Sequence, residues 1–175
     1  MHPFRDLLKG GDLRSIGKAN EVVEIVIHAP ERIQELTLCL KSKDPIVRMR
    51  ASDAIEKISH SHPKLIQIIK DALIRESTHT EQQEVKWHLA QVFERLELST
   101  CDRKIIVPIL FRWLEQDSSR IVQVSSLQCL VSFADRDRQL RRKVLQKIEA
   151  AASFGSPAIQ VRCRKLAKKF LWIRE

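Results

Sequence analysis

The chain has 175 residues, of which 43% are apolar and 30% are charged, with four glycines and no tyrosine. This composition lies far from that of a disordered chain, and it favours helices over sheets, which would need more β-branched and aromatic residues. The formal net charge of +9 is concentrated at one end, because residues 136–175 hold 12 Lys or Arg against three Asp or Glu, and the residues before them are balanced.

The sequence also excludes several protein classes. The first 18 residues carry charges throughout and lack the apolar core of a signal peptide, and no stretch reaches the length of a membrane span. The cysteines stand far apart, without the close pairs of a zinc site or a redox dithiol, and we expect them to be buried and free of disulfides. We therefore expect a soluble cytoplasmic protein with no metal and no cofactor. The cysteines are Cys39, Cys101, Cys129 and Cys163.

Amphipathic segments follow one another along the chain. A pattern over residues 15–27 indicates a leading helix, and further helices are predicted at residues 30–41, 63–75, 102–115 and 138–152. Each of the last four is followed by a second segment, and turn-forming residues stand where the helix pairs should turn. Asp44 and Ser156 can cap the exposed donors of the helices that follow them. The turns are Lys43-Asp44-Pro45, His62-Pro63, Asp117-Ser118-Ser119 and Gly155-Ser156-Pro157.

The second segments repeat one apolar stripe four times. Their first members lie 38, 37 and 37 residues apart, a period typical of stacked helix pairs. The stripes are Val47, Ala51, Ala54, Ile55 and Ile58; Val85, Leu89, Val92, Phe93 and Leu96; Val122, Ser126, Cys129, Leu130 and Phe133; and Ile159, Cys163, Leu166, Ala167 and Phe170.

A helix pair with this period resembles the HEAT family, and residues 44–48 (Asp-Pro-Ile-Val-Arg) with Ala51, Ala54 and Ile55 match its second-helix pattern. Leu89 and Ser126 depart from it, since alanine is usual there. The resemblance implies an all-α, right-handed superhelix (α-solenoid) in a single domain, 1–175. It divides the chain into an N-terminal cap or partial repeat, 1–29, and helix pairs at 30–60, 63–97, 102–135 and 138–173. HEAT arrays serve as adaptors, regulatory subunits, transport receptors and alkylated-DNA glycosylases, so the resemblance implies a fold and leaves the activity open.

In such arrays the second helices line the concave side, and aligned positions form rows across it. The first row is apolar, and it either packs the repeats together or forms an apolar strip with Trp87 as an interface anchor. The rows are Met49, Trp87, Val124 and Val161; Arg50, His88, Ser125 and Arg162; and Asp53, Gln91, Gln128 and Lys165.

Two groups of residues raise the question of catalysis. Glu84 and His88 lie one turn apart on a polar face with Gln91 and could act as acid and base, or could form a local hydrogen bond on a solvated face. No nucleophile or metal ligand accompanies them in the sequence, and His60 and His62 alone cannot complete a metal site. We therefore expect no enzymatic activity.

The last predicted helix carries a basic patch. Arg162, Lys165 and Lys169 share one face, with Lys168 and Trp172 beside them. The patch either binds the anions of a nucleic acid or an acidic protein, with Trp172 stacking on a base or covering an apolar contact, or it keeps the terminal repeat soluble and offsets the helix dipole.

Our first hypothesis is a non-enzymatic scaffold that binds a protein partner through the concave face. The alternative is nucleic-acid binding through the basic C-terminal repeat, similar to the cationic groove of the HEAT-like alkylpurine glycosylases, although no catalytic motif of theirs is matched. A resemblance to bacterial HEAT proteins related to phycobilin lyases is a third hypothesis, and no chromophore pocket supports it. The oligomeric state stays open. The residues of the first hypothesis are Arg50, Asp53, Trp87, His88, Gln91, Gln128 and Lys165.

Overall fold

The computed structural model describes residues 3–173, and every regular element in this part of the chain is helical, which confirms the all-α class. Two short 3₁₀ turns, Pro30–Arg32 and Leu171–Ile173, accompany the α-helices. The α-helices are α1 (Phe4–Leu8), α2 (Ala19–His28), α3 (Ile33–Leu40), α4 (Pro45–Ser61), α5 (Pro63–Ile68), α6 (Lys70–His79), α7 (Gln83–Phe93), α8 (Thr100–Gln116), α9 (Arg120–Arg136), α10 (Arg138–Phe154) and α11 (Pro157–Lys169).

Local sequence determines where several helices begin. The Asp44 side chain accepts a hydrogen bond from the backbone N–H of Ile46 at 2.8 Å, as predicted for the start of α4. Ser99 and Asp102 form a reciprocal capping box at the start of α8. These side chains satisfy backbone donors that the first helical turn leaves without a partner.

The predicted cap at Ser156 is wrong. Ser156 makes no side-chain cap bond to α11, and within residues 3–173 its buried hydroxyl has no hydrogen-bond partner. Pro157 occupies the first turn of α11 and lacks an N–H, so the helix begins with one donor fewer.

The predicted stripes form the core. All members of the first three stripes are buried, and so are Ile159, Cys163 and Leu166 of the fourth. Ala167 and Phe170, on the last α-helix that the structure describes, remain partly exposed. The period in the sequence therefore predicted the buried faces of α4, α7 and α9. Three of the cysteines are buried as expected, but Cys101 is exposed near the start of α8.

The second helices of successive pairs pack side by side. α2, α4, α7, α9 and α11 form a row in which each helix contacts the next, and we call this the second-helix row. On its other side α3 packs on α4, α8 on α9, and α10 on both α9 and α11. Aligned positions of α4, α7, α9 and α11 therefore lie close together on adjacent helices.

The segment predicted as one helix over residues 63–75 is two helices, α5 and α6, and it extends to His79. The break lies at Ile69, whose N–H bonds to the carbonyl of Ile66, three residues back, at 3.1 Å. α5 packs on α4, whereas α6 contacts α3, α7 and α8. The break lets one segment contact helices on both sides.

One position of each second helix donates a side-chain hydrogen bond to a neighbouring turn. This position directly follows the first apolar residue of each stripe. The bonds run from Arg48 to the carbonyls of Ser42 and Lys43, from Lys86 to the carboxylates of Glu81 and Asp117, from Gln123 to the carbonyl of Asp117, and from Gln160 to the carbonyl of Gly155.

Lys86 is the buried member of this set. Its ammonium lies 3.0 Å from the Asp117 carboxylate and 2.9 Å from that of Glu81. Burial lowers the pKa of Lys86, but the hydrogen bonds to Glu81 and Asp117 outweigh it and leave the pKa above its ordinary value. The charged pair therefore joins α7 to the turn between α8 and α9.

Within residues 3–173, no helix combines the length and the apolar content that crossing a bilayer requires.

Candidate binding site on the second-helix row

At the α4–α7 part of the row, the polar side chains bind each other. Lys57 lies 2.7 Å from the Asp53 carboxylate and donates a second bond to the side chain of Asn20 on α2, also at 2.7 Å. One turn further along, Arg95, which follows the end of α7, pairs with Glu56 of α4 at 2.9 Å. The charges on this part of the row are therefore balanced by direct pairs.

His88 belongs to this paired part. Its Nδ1 lies 2.9 Å from the Ser52 hydroxyl, and its Nε2 lies 3.9 Å from the Asp53 carboxylate. Burial lowers the pKa of His88, although the nearby carboxylate of Asp53 opposes that shift. The ring is therefore held between two residues of α4 and is mostly withdrawn from solvent.

Ser52, His88 and Asp53 are the residue types of a hydrolase triad, but the geometry is that of a structural contact. Ser52 is 1% exposed, and its hydroxyl donates to the carbonyl of Met49 at 2.7 Å. A nucleophile must reach its substrate, and this hydroxyl cannot. Glu84, the other half of the predicted acid–base pair, is buried as well, so the predicted solvated polar face does not exist at this point.

Arg50 does not lie on an open surface, which corrects its predicted place in a partner-binding face. It is 3% exposed, and its guanidinium donates to the backbone carbonyls of Leu8 and Ser15, each at 2.9 Å. Longer bonds reach the carbonyls of Lys9 and Asp12. The segment 9–18 thus lies over this part of α4 and occupies the arginine.

The predicted apolar row changes character from one end to the other. Met49 is buried, and Trp87 and Val124 are partly buried and pack against the core. Trp87 also meets the His88 ring edge-on, with centroids 5.4 Å apart. Val161 is 41% exposed. The row therefore packs repeats together at α4 and becomes an accessible apolar surface at α11.

At the α7–α9–α11 part, neutral amides link the helices. The Gln91 side chain lies 3.4 Å from the Ser125 hydroxyl. Gln128 donates to the Glu94 carboxylate at 3.0 Å and accepts from the Arg162 guanidinium at 3.0 Å. These two hydrogen bonds fix the position of Arg162, and the neutral Gln128 amide separates its guanidinium from the Glu94 carboxylate.

Two adjoining cavities of about 600 and 410 Å³ lie over these helices and share the residues Gln91, Ser125, Arg162 and Lys165. We call them together the basic groove. Lys169 and Glu94 line the smaller cavity, and Ile121, Val124 and Val161 line the larger one.

Among the cations that line the basic groove, Arg95 pairs with Glu56, but the three on α11 have no direct counter-ion in the described part of the chain. Within residues 3–173, Arg162, Lys165 and Lys169 form no salt bridge, and neither does the exposed Lys168 beside them. Lys169 has its ammonium 5.2 Å from the ring centroid of Phe170. The groove is therefore positively charged and open to solvent.

Trp172 is not available to stack on a ligand, which corrects the predicted basic patch. It is 7% exposed, and the Arg141 guanidinium lies over its ring, 5.2 Å from the centroid. The indole N–H has no hydrogen-bond partner in the described part of the chain. The 3₁₀ turn Leu171–Ile173 folds back on α11 and buries the indole.

Three residues at the groove were not predicted from the sequence. Glu94 and Ile121 line the groove, and Ser132 donates to the Glu94 carboxylate at 2.7 Å. Each of them lies three or four residues from a residue in the aligned rows, that is, one helical turn away. Rows extended by one turn in both directions would have included them.

The histidines at 60 and 62 lie in separate contacts. His60 is next to Glu56 at 3.1 Å, and His62 is next to the Ser61 hydroxyl at 2.9 Å. In the described residues, no group of three His, Cys, Asp or Glu side chains is placed to hold a metal ion.

Comparison of the chain with protein-family models, with curated proteins and with solved structures gave no match.

Proposed function

We propose that the chain is an α-solenoid of the HEAT type, in which four helix pairs wind as a right-handed superhelix. The side-by-side packing of α4, α7, α9 and α11 supports this, as do the 37–38-residue period and the Asp44 cap that precedes Arg48. The free thiols of the four cysteines fit a reducing compartment, and a cytoplasmic location is part of the proposal.

We propose further that the chain is a non-enzymatic module that binds a segment of a protein partner through the basic groove. One observation carries this proposal. On a single row of helices, the side chains near α4 and α7 pair with each other, whereas Arg162, Lys165 and Lys169 have no acidic partner among the described residues and stand beside exposed Val161. Unpaired charge next to accessible apolar surface is typical of an interface.

Nucleic-acid binding is supported less well by the same residues. The cations of residues 136–175 do not form one patch, because Arg141 lies over Trp172, Lys143 lies over Phe111, and Lys147 pairs with Glu115. The groove lining contains no aromatic side chain for base stacking, and Trp172 is buried. Single-stranded binders commonly provide such stacking surfaces.

A peptide-display selection on the intact protein tests the proposed function. A random library makes no assumption about the chemistry of the bound segment. Hydrogen exchange of the protein with a selected peptide should show protection in residues 120–128 and 157–169, where the groove lies, and unchanged exchange in residues 45–61.

The test variant, Val161→Asp, places a charge on the apolar surface of the groove. The control variant, Arg142→Gln, changes an exposed residue of α10. Selected peptides should bind the second variant like the unchanged protein and bind the first about tenfold more weakly, since one buried carboxylate opposes an apolar contact. Failure to select any peptide, together with protection of the groove by short DNA or RNA, would remove the proposed function.

A further inference from the structure

We infer that the segment bound in the basic groove is acidic and carries at least one large apolar side chain; this inference rests on the proposed function and specifies its ligand. It follows from the charge of the groove, from the apolar surface beside that charge, and from the position in which Gln128 holds Arg162.

The charge comes from three cations on α11, which outnumber the single carboxylate, Glu94, in the described groove lining. Arg162 donates to the neutral oxygen of Gln128, and Lys165 and Lys169 form no ion pair among the described residues. Glu94, which lines the smaller cavity, already accepts bonds from Gln128 and Ser132. A ligand carboxylate would therefore meet donors that are in place and not committed to another anion.

The apolar part lies one helical turn away. Ile121 is 53% exposed and lines the larger cavity together with Val124, Val161 and Pro157. The two cavities share Gln91, Ser125, Arg162 and Lys165, so a single short segment can contact both. An apolar side chain buried against these residues gains affinity by the removal of its surface from water.

The combination selects against other ligands. A basic segment would face Arg162, Lys165 and Lys169 with like charge, and opposed like charges disfavour a complex. A neutral segment would leave those cations without partners. A nucleic acid would match the charge, but the thymine methyl is the main apolar group it could place on Ile121 and Val161, and the described lining offers it no aromatic ring.

Fluorescence anisotropy with labelled peptide pools of equal length tests this inference. One pool contains Asp, Glu, Leu and Phe; a second replaces Leu and Phe by Ser; a third replaces Asp and Glu by Gln; and a fourth replaces them by Lys. Short DNA and RNA of matched charge complete the set. We expect the first pool to bind most tightly, with an affinity that falls as salt rises.

Protein variants assign the two parts of the groove. Lys165→Gln with Lys169→Gln should weaken the acidic–apolar pool about tenfold, and Val161→Ser should weaken it about threefold. The matched control is Arg138→Gln with Arg142→Gln, which removes two charges from α10, outside the groove, and should change affinity less than about twofold. The melting temperature checks that each variant is folded.

The outcomes separate the inference from the proposed function. Tighter binding of the neutral or basic pool, lost with Val161→Ser, would overturn the inference and leave a protein-binding groove. Binding of the acidic pool without Leu and Phe as tightly as the first pool would also overturn it. Tightest binding to DNA or RNA, unaffected by Val161→Ser, would overturn both.

Discussion

The α4–α7 part of the second-helix row and its α9–α11 part share one helix spacing but use equivalent positions differently. Arg50 and Arg162 occupy the same position in the first and the last repeat. Arg50 is covered by residues 9–18 and binds their carbonyls, whereas Arg162 is partly exposed and donates to Gln128. The repeat determines where a side chain lies, and the presence or absence of a covering segment determines whether it is buried in the fold or open to solvent.

The same contrast holds for the carboxylates. Near α4, Asp53 and Glu56 pair directly with Lys57 and Arg95. Near α9, Glu94 binds hydroxyl and amide groups, and Arg162, Lys165 and Lys169 have no acidic partner among the described residues. A face that balances its charges internally has few free charges for a charged ligand, and our proposal therefore places the bound segment at the last two helices of the row.

The largest expected loss of stability comes from removing the Arg50 side chain, which lies beneath residues 9–18. Arg50→Ala removes the donors for the carbonyls of Leu8 and Ser15, which are then left without partners, and should lower the free energy of unfolding by about 3 kcal/mol. Urea denaturation measures this, and hydrogen exchange in residues 9–18 should rise.

The equivalent change at the open end, Arg162→Ala, provides the control. Its side chain is partly exposed and makes one side-chain hydrogen bond, so we expect a loss of no more than about 0.5 kcal/mol. Equal losses for both variants would show that the two ends do not differ in the way described.

A second substitution tests the covering segment itself. Gly17 has φ +49°, and a Cβ added there would lie 2.6 Å from the Arg50 guanidinium, so Gly17→Ala should lower stability by about 2 kcal/mol. Gly10 also has a positive φ, +81°, but a Cβ there meets nothing within 4 Å. Gly10→Ala should therefore lower stability by about 1 kcal/mol, through the strain of a positive φ alone. Thermal denaturation of both variants separates this backbone strain from the steric contact with Arg50.

The pH dependence of stability sharpens the role of His88. Its folded-state pKa is lowered from 6.5 by burial, so above that pH both the folded and unfolded states are neutral and the full stability is present. As the pH falls below 6.5, the unfolded state takes up the proton first and stability decreases, by at most about 1.4 kcal/mol per pH unit for one proton.

His88→Gln should flatten that part of the curve. The measurement is the free energy of unfolding between pH 5 and pH 8 for both proteins, and the difference between the two curves isolates His88 from other titrating groups. A difference that does not change with pH would show that the pKa of His88 is the same in the folded and the unfolded chain.

The smallest expected effect is a gain. The Ser126 hydroxyl is buried in α9 without a hydrogen-bond partner among the described residues, so Ser126→Ala should raise stability by about 0.5–1 kcal/mol. The neighbouring Ser125, which meets Gln91 at 3.4 Å, is the control, and Ser125→Ala should not stabilise the protein. The melting temperature reports both changes.

The core and the helix order could be predicted from the sequence, because an apolar stripe that recurs at a fixed helical spacing must be buried on one side of each helix. The stripes of α4, α7 and α9 follow that rule, and the cap at Asp44 follows from the preference for aspartate at helix starts. The closeness of Gln91, Gln128 and Lys165 could be predicted in the same way, since aligned positions in the repeats become neighbours on adjacent helices.

What could not be predicted depends on segments outside the period. Residues 9–14 have no apolar pattern, and residues 15–18, predicted as the start of a helix, precede α2, so the burial of Arg50 beneath this segment had no signal in the sequence. Trp172 lies in a short turn after α11, where neither helical nor strand periodicity applies. The pairing of His88 with Ser52 depends on rotamers across two helices, and residue spacing does not determine it.

The hydrogen bonds between neighbouring helix pairs join residues about one repeat apart along the chain, for example 30 residues from Gln67 to Glu97 and 38 from Ser132 to Glu94. No contact of this kind has to wait for a distant part of the chain to be synthesised. Each helix pair can dock as soon as it leaves the ribosome, and a nascent chain halted after α9 would already hold the core of its first repeats. The groove between α9 and α11 would be the last part to form.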